Sequence, residues 1–253
     1  MISRLSIDSL QLALLCQRAE NEFVGARCGI MDQFICSHAK PDTALLLDCR
    51  SLDYQIFPLA SDITLVACNT MVKHDLATGA YNRRRAECEE GVRRLSKFLP
   101  GVRALRDVTR EELDRYAGEL PDTVLQRCRH VVTENERVAQ AAICLRNNDP
   151  LGFGRLMAES HRSLRDDYEV SCAELDLMVE IAGRTKGVLG SRMTGGGFGG
   201  CTINLVRSEN VSQFRDMISS EYQTKTGRHP EIYVSHPAGG AEEISAADVA
   251  LEA

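Results

Sequence analysis

The chain has 253 residues, of which 43% are hydrophobic and 26% charged, and its formal net charge is −6. This composition is typical of a soluble globular protein with enough chain for one large or two small domains. The negative charge gives no support for binding nucleic acid or an anionic membrane surface. No apolar run approaches the roughly 20 residues of a membrane-spanning helix, and residues 1–10 lack the pattern of a secretory signal peptide.

Ten cysteines and six histidines are spread along the chain, with no C-x-x-C and no H-x-x-x-H spacing. Metal sites and disulfide frameworks in small domains show closer and more regular spacing. Most of the cysteines fall within apolar helical or strand patterns. The sequence therefore predicts reduced, buried thiols in a cytoplasmic protein, and no metal site built from protein side chains.

The first predicted element is a helix over residues 9–23, whose apolar residues recur at helical spacing. Gly25 and Gly29 follow it, and Asp32 then stands between apolar residues. A carboxylate among apolar neighbours is costly unless it is paired. Asp32 is therefore either a functional carboxylate or the cap of a helix through residues 33–35, and the residues alone leave both interpretations open.

Alternating charges mark a helix that opens near residue 77. The i,i+4 pairs Arg83–Glu87 and Arg85–Glu89 indicate a solvated face on which the basic triplet is neutralised. The buried stripe of this helix is predicted at Ala86, Val92, Leu95 and Phe98.

The remaining elements are predicted from apolar periodicity, caps and prolines. Strands are predicted over residues 43–49, 63–68, 187–189, 201–206 and 231–235, the last at a sheet edge. Helices are predicted at 109–112, over 122–146, from Pro150, from a capping box at Ser171 to Gly183, and over 211–226. Residues 160–168 interrupt the helical pattern, and a Ser–His–Asp hydrolase site there is disfavoured because no glycine elbow surrounds either serine. The order of elements predicts an α+β fold with helices on one face of a mostly antiparallel sheet.

Residues 190–200 form a glycine-rich stretch in which six of eleven residues are glycine. Gly195, Gly197 and Gly200 spell G-x-G-x-x-G, but a strand pattern follows where a dinucleotide-binding fold needs a helix. No Gly-Lys-Ser/Thr follows either, which excludes a Walker loop. Two interpretations stay open, a turn whose bare N–H groups bind an anion and a glycine-rich hairpin between two strands.

Seven motifs in order resemble the galactokinase family of the GHMP small-molecule kinases. They are residues 20–25 (ENEFVG), 28–34 (CGIMDQF), 69–74 (NTMVKH), 81–85 (YNRRR), 130–137 (HVVTENER), 160–164 (SHRSL) and the glycine-rich stretch. The resemblance covers roughly residues 9–240. It implies a C-terminal GHMP kinase domain over residues 61–240, preceded by the remnant of a truncated N-terminal α+β domain at 1–60 and followed by a tail at 241–253.

The resemblance implies transfer of the γ-phosphoryl group of ATP, with Mg²⁺, to the C1 hydroxyl of galactose. It makes Asp32 the catalytic carboxylate in an enclosed, largely apolar pocket. Gly29 through its backbone and Tyr81 through its side chain would contact the sugar. Three consecutive glycines of the loop, Gly195, Gly196 and Gly197, would support the nucleotide site.

Two family motifs are absent from this chain, the Gly-Glu-His-Thr-Asp-Tyr segment that binds galactose and the Gly-Leu-Ser-Ser-Ser phosphate loop. The resemblance therefore implies a galactokinase without its N-terminal portion, incompetent as this chain alone, with a separate chain as a possible source of the rest. The alternatives are a non-catalytic remnant or sensor of sugar or nucleotide, and a kinase for a related hexose such as N-acetylgalactosamine.

Overall fold

The computed structural model describes residues 7–25, 28–73 and 77–242. The end of the NTMVKH motif and the tail beyond residue 242 lie outside these ranges. The chain divides into two compact units, the first formed by the residues up to Leu59 together with those from His236, and the second by Ala60–Ser235. Residues 236–240 were predicted to belong to the C-terminal domain. They group with the first unit because Asp42 N donates to Pro237 O and Gly240 N to Ala39 O, both at 3.0 Å.

The first unit contains two helical segments and a hairpin. Helix α1, Ser9–Arg18, is capped by the Asp8 carboxylate, which accepts from Gln11 N, and continues as a π-helix over Ala19–Val24 that ends at Gly25 with φ +80°. The predicted helix over 9–23 therefore exists in two parts. Helix α2 spans Met31–His38 and packs against α1. Strands β1, Thr43–Leu47, and β2, Tyr54–Pro58, form an antiparallel pair in which β2 was not predicted.

The second unit is built on a four-stranded sheet in which every pair of neighbours is antiparallel. Its strands are β3 Ile63–Lys73, β4 Val188–Met193, β5 Gly199–Arg207 and β6 Glu231–Ser235, in the order β4-β5-β3-β6. Strand β6 lies at the edge, as predicted. The antiparallel α+β architecture expected from the sequence is confirmed.

Among the described residues of the second unit, six α-helices accompany this sheet. They are α3 Ala77–Leu95, α4 Arg110–Arg115, α5 Asp122–Arg146, α6 Pro150–Asp166, α7 Ala173–Arg184 and α8 Val211–Thr226. The bounds predicted for α5 and α8 are confirmed, and so is the capping box of Thr109 with Glu112 at α4. The box predicted at Ser171 is wrong, because Cys172 occupies the N-cap and the Ser171 hydroxyl donates to Asp176 instead.

Helix α6 continues to Asp166, through most of the segment 160–168 in which a break was predicted. Ser160 and His161 are buried within it. The Ser160 hydroxyl donates to Glu134 Oε1 of α5, and His161 Nδ1 accepts from Met193 N at the end of β4. Buried polar groups are tolerated in a helix when they have partners, and here the partners are distant in the sequence.

The core of the second unit consists of three clusters. Helices α7 and α8 pack on the sheet through Val66, Cys68, Met178, Ile181, Ala182, Val206, Phe214, Ile218 and Tyr222. A second cluster joins α3, α4 and α5, and a third lies around Leu164, Val170, Leu175 and Met193. Leu95 of the predicted α3 stripe is buried, but Ala86 and Phe98 are exposed.

The cysteines are less buried than predicted. Only Cys68 and Cys128 of the ten are buried, and Cys16, Cys36 and Cys49 are exposed. Burial raises the pKa of the Cys68 and Cys128 thiols to about 12, so these two thiols are poor nucleophiles. Within the described ranges, no helix is both long and apolar enough to cross a membrane.

Candidate functional site

The glycine-rich stretch forms a hairpin between β4 and β5. Its geometry is therefore that of the glycine-rich hairpin between two strands, one of the two interpretations left open by the sequence. Thr194 N donates to Cys201 O at 2.9 Å at the base of the turn. The flanking strands are longer than predicted and include Gly190, Gly199 and Gly200. We call residues 194–200 the glycine hairpin. No helix follows it, which agrees with the exclusion of a dinucleotide-binding fold.

Backbone conformation and close packing both require glycine in this hairpin. The φ angles of Gly195, Gly197, Gly199 and Gly200 are +79°, +85°, +115° and +82°, in the region that side chains disfavour. A Cβ atom on Gly197 would lie 2.2 Å from Val170 O, and one on Gly199 would lie 2.3 Å from Val72 O. Beside Gly195 and Gly200 nothing lies within 4 Å of an added Cβ. The hairpin is therefore packed against neighbouring backbone at two glycines and open at two others.

Tyr81 lies beside this hairpin. A Cβ atom on Gly196 would be 3.9 Å from Cδ2 of the Tyr81 ring, and the Tyr81 side chain is 41% exposed. Tyr81 belongs to the first turns of α3. The structure thus brings together two groups of predicted site residues, the tyrosine and the loop glycines, that are more than 100 positions apart in the sequence.

Asp32 and Gly29 belong to the first unit. Ile30 is the N-cap of α2, and Asp32 lies inside the first turn, so the interpretation of Asp32 as the cap is wrong. A carboxylate there interacts favourably with the partial positive charge at the helix N-terminus. The side chain of Asp32 is exposed among the described residues, and the enclosed pocket stays a prediction. Gly29 is exposed, and nothing lies within 4 Å of an added Cβ.

Residues of the ENEFVG and CGIMDQF motifs form hydrogen bonds with one another near the start of α2. The Cys28 thiol donates to Glu20 Oε2 at 3.2 Å, and Gln33 Nε2 donates to Glu20 Oε1 at 2.9 Å. These two hydrogen bonds lower the pKa of Glu20, while burial and the neighbouring Glu20 raise the pKa of the Cys28 thiol. Because Gln33 follows Asp32 directly, the Glu20 bonds fix the turn that carries the predicted catalytic carboxylate.

Two arginines that share one carboxylate, Arg84 and the buried Arg127, were not recognised in the sequence. Arg85–Glu89 forms the predicted surface pair at 3.1 Å. Glu87, however, binds Arg84 Nη1 at 3.0 Å and Arg127 Nε at 2.9 Å instead of Arg83. The sequence signal was the YNRRR motif itself, whose middle arginine points inward. Nothing in the local pattern distinguished Arg127 from the surface charges of α5.

The Ser–His–Asp combination present in the second unit does not have the geometry of a hydrolase. His130 Nδ1 lies 3.0 Å from Ser163 Oγ, and the Ser163 hydroxyl donates to Asp167 Oδ2 at 2.8 Å. In a catalytic triad the carboxylate orients the imidazole, whereas here it binds the serine. Burial lowers the pKa of His130 to about 4. His130 and Ser163 are buried, and the three residues form a hydrogen-bonded network between α5 and the end of α6.

Known proteins resemble this chain along nearly all of its length. The family described as GHMP kinases C terminal matches residues 140–224. A galactokinase of Roseiflexus sp. (strain RS-1) is 47% identical over 244 residues, and one of Clostridium acetobutylicum is 44% identical; in each case 96% of this chain and 62% of the relative are covered. The chain thus spans less than two thirds of the length of these relatives.

The similarity extends to the fold. The crystal structure of Lactococcus lactis galactokinase complexed with galactose matches with a TM-score of 0.92 at 36% identity, over 96% of this chain and 63% of that one. The match of a C-terminal GHMP family segment and the match to galactokinases agree with the family recognised from the sequence motifs. The chain is therefore similar to galactokinases in both sequence and structure, and its residues 140–224 match the C-terminal family of the GHMP kinases.

Proposed function

We propose that this chain is part of a galactokinase-type sugar kinase, which transfers the γ-phosphoryl group of ATP to the C1 hydroxyl of galactose and yields galactose 1-phosphate. The observation that carries the proposal is the TM-score of 0.92 to a galactokinase crystallised with galactose. The identity of 47% to a second galactokinase supports it. Because the chain covers 62% of that relative, the proposal includes a complementary polypeptide segment, and residues 1–253 alone transfer little phosphate.

In this proposal Asp32 accepts the proton of the C1 hydroxyl as its oxygen attacks the γ-phosphorus. The O–H bond breaks, the new O–P bond forms, and the bond from the γ-phosphorus to the bridging oxygen breaks to release ADP. Such transfer needs mainly positioning and a group that accepts the proton. The exposed carboxylate of Asp32 is accessible to a substrate, and the bonds of Glu20 to Gln33 and Cys28 hold the turn beside it.

Sugar and nucleotide would be bound by the other predicted residues. Gly29 contacts the sugar through its backbone and Tyr81 through its ring and hydroxyl group. Gly195, Gly196 and Gly197 support the nucleotide site, where the open space beside Gly195 leaves the backbone accessible. Among the described residues no group of three or more His, Cys, Asp and Glu could hold a metal ion. Mg²⁺ therefore enters the proposal only as the partner of the ATP phosphates.

The test compares the purified chain with the chain mixed with the part of the Roseiflexus galactokinase that it does not match. We expect galactose 1-phosphate and ADP in stoichiometric amounts from the mixture and little of either from the chain alone. Absence of product in both arms contradicts the proposal. If calorimetry then detects galactose or ATP binding without turnover, a sensor is favoured. Faster turnover of N-acetylgalactosamine than of galactose would assign a different sugar.

Asp32→Asn tests the carboxylate in the active mixture. The substitution keeps the shape and removes the proton acceptor, so we expect turnover to fall on the order of 10²–10⁴-fold. The matched control is Asp53→Asn, which changes another exposed carboxylate of the same unit. Equal turnover of the two variants would contradict the role of Asp32.

A further inference from the structure

A single turn of the second unit is held by two guanidinium groups. The turn comprises residues 167–170 and follows α6; we call it the clamped turn. Three successive carbonyl oxygens accept from arginine. Arg127 Nη1 donates to Asp167 O, Arg84 Nε to Tyr168 O at 2.6 Å, and Arg84 Nη2 to Glu169 O at 3.1 Å. Glu169 has a φ of +52°, a left-handed conformation that costs energy for a residue with a side chain.

The two arginines are themselves fixed. The Arg127 side chain is 2% exposed, and both guanidinium groups share the Glu87 carboxylate. A buried charge is retained only when it is paired and hydrogen-bonded, and the planar fork of arginine binds several acceptors in one orientation. Side chains from α3 and α5 therefore hold the clamped turn, in addition to the backbone hydrogen bonds from Tyr168 N to Ser163 O and from Val170 N to Leu164 O at the end of α6.

The clamped turn also contacts the glycine hairpin through Val170. Val170 O accepts from Phe198 N at 2.7 Å. The same carbonyl is so close to Gly197 that an added Cβ would lie 2.2 Å away. Phe198 has a φ of +60°, and a non-glycine residue keeps such a conformation only where its surroundings enforce it. Val170 is the contact that both observations share.

We propose that Arg84 and Arg127 are positioning residues that hold the glycine hairpin in its left-handed conformation through the clamped turn. Arg84 lies one helical turn after Tyr81 on α3, so the same helix places the tyrosine and anchors the turn that contacts Gly197 and Phe198 of the hairpin. The consequence for nucleotide binding rests on the proposed function, whereas the positioning itself does not.

Amide hydrogen exchange of the full chain tests the positioning without requiring activity. Arg84→Met removes the donors to Tyr168 O and Glu169 O, and Arg85→Met is the matched control because Arg85 pairs with Glu89 on the exposed face of the same helix. We expect amide exchange in residues 167–170 and 194–200 to accelerate roughly tenfold or more in Arg84→Met. Local opening costs less free energy in this variant, because the two hydrogen bonds from Arg84 are already absent. Exchange in α8 stays unchanged, and the control matches the wild type in all three segments.

Arg84→Lys separates positioning from charge. Lysine keeps a cation near Glu87 but has no planar fork for two carbonyls, so we expect the hairpin to exchange almost as fast as in Arg84→Met. Wild-type exchange in the lysine variant, an unchanged hairpin in Arg84→Met, or equal acceleration across α8 would each overturn the proposal.

ATP calorimetry on the same variants separates this inference from the proposed function. Faster hairpin exchange together with at least about tenfold weaker ATP binding, a difference of about 1.4 kcal/mol, supports both. Faster exchange with unaltered ATP binding supports the positioning role and contradicts a nucleotide role for the hairpin.

Discussion

The two compact units differ in how completely they bury their apolar side chains. The second unit encloses three clusters that join its helices and its sheet. Among the described residues of the first unit, the buried apolar side chains are few, namely Ala13, Ile30, Phe34 and Phe57. Its exposed large apolar residues include Ile7, Leu10, Leu12, Leu14, Leu15, Phe23, Val24, Met31 and Ile35. Apolar surface of this extent is typical of an interaction surface.

This difference divides the candidate site. Tyr81 and the glycine hairpin belong to the unit with three core clusters, whereas Asp32 lies on a helix of the unit with few buried apolar side chains among the described residues. The geometry around the hairpin therefore depends on contacts within the second unit. The geometry around Asp32 depends on a few contacts, such as the stack of Phe34 on His38 with ring centroids 3.9 Å apart.

The same substitution made once in each unit tests this comparison most directly. Phe214 is completely buried between α8 and the sheet, and Phe23 is 93% exposed. We expect Phe214→Ala to lower the free energy of unfolding by about 3–5 kcal/mol. Phe23→Ala should change it by less than about 0.5 kcal/mol. Urea denaturation followed by far-ultraviolet circular dichroism measures both, and similar losses would show that the first unit is packed as tightly as the second.

The pH dependence of stability should come from the second unit through His130. Burial lowers the pKa of His130 from 6.5 to about 4. Between these values the unfolded chain binds a proton that the folded chain does not, so stability falls as the pH is lowered through this window. The loss reaches as much as about 3 kcal/mol at pH 4.

His130→Gln should remove the slope of stability between pH 6.5 and 5, where carboxylates contribute least. His229→Gln is the control, because His229 is exposed. Denaturation midpoints measured between pH 6.5 and 5 give this slope for both variants and the wild type. A slope that persists in His130→Gln would assign the effect to another group.

Two glycines of the hairpin allow a packed position and an open position within the second unit to be compared. Gly197 and Gly195 share a positive φ, but only Gly197 has a neighbour within 4 Å of an added Cβ. Gly195→Ala should cost about 1–2 kcal/mol for the left-handed conformation alone. Gly197→Ala should cost about 1–3 kcal/mol more, because the new methyl group overlaps Val170 O. Equal costs in thermal or urea unfolding would mean that the hairpin moves away from Val170 freely.

Sequence patterns predicted those elements whose ends are determined locally. Helices α5 and α8 and strand β6 have apolar periodicity, prolines or glycine at their ends, and these signals act within a few residues. Strand β2 was missed because it is short, largely exposed and ends in proline. The break predicted in α6 was wrong because Ser160 and His161 find partners on α5 and β4, which no local pattern reveals.

The candidate site was predictable only in part for the same reason. Asp32, Gly29, Tyr81 and the loop glycines were identified from family motifs, and their roles stay predictions. The proximity of Tyr81 to Gly196 depends on tertiary packing. In the sequence, Arg127 cannot be distinguished from the surface charges of α5. Its burial depends on hydrogen-bond acceptors 40 or more positions away.

The edge strand β6 has a consequence for how copies of this chain behave at high concentration. Within the described residues no strand pairs with its outer side, and Tyr233 and Val234 are exposed along it. Unpaired strand edges promote aggregation by continuing the sheet into a neighbouring molecule. Here the strand is only five residues long, and Pro230 and Pro237 stand just beyond its two ends. Because proline cannot donate to a strand ladder, a foreign strand could extend the sheet over little more than those five residues.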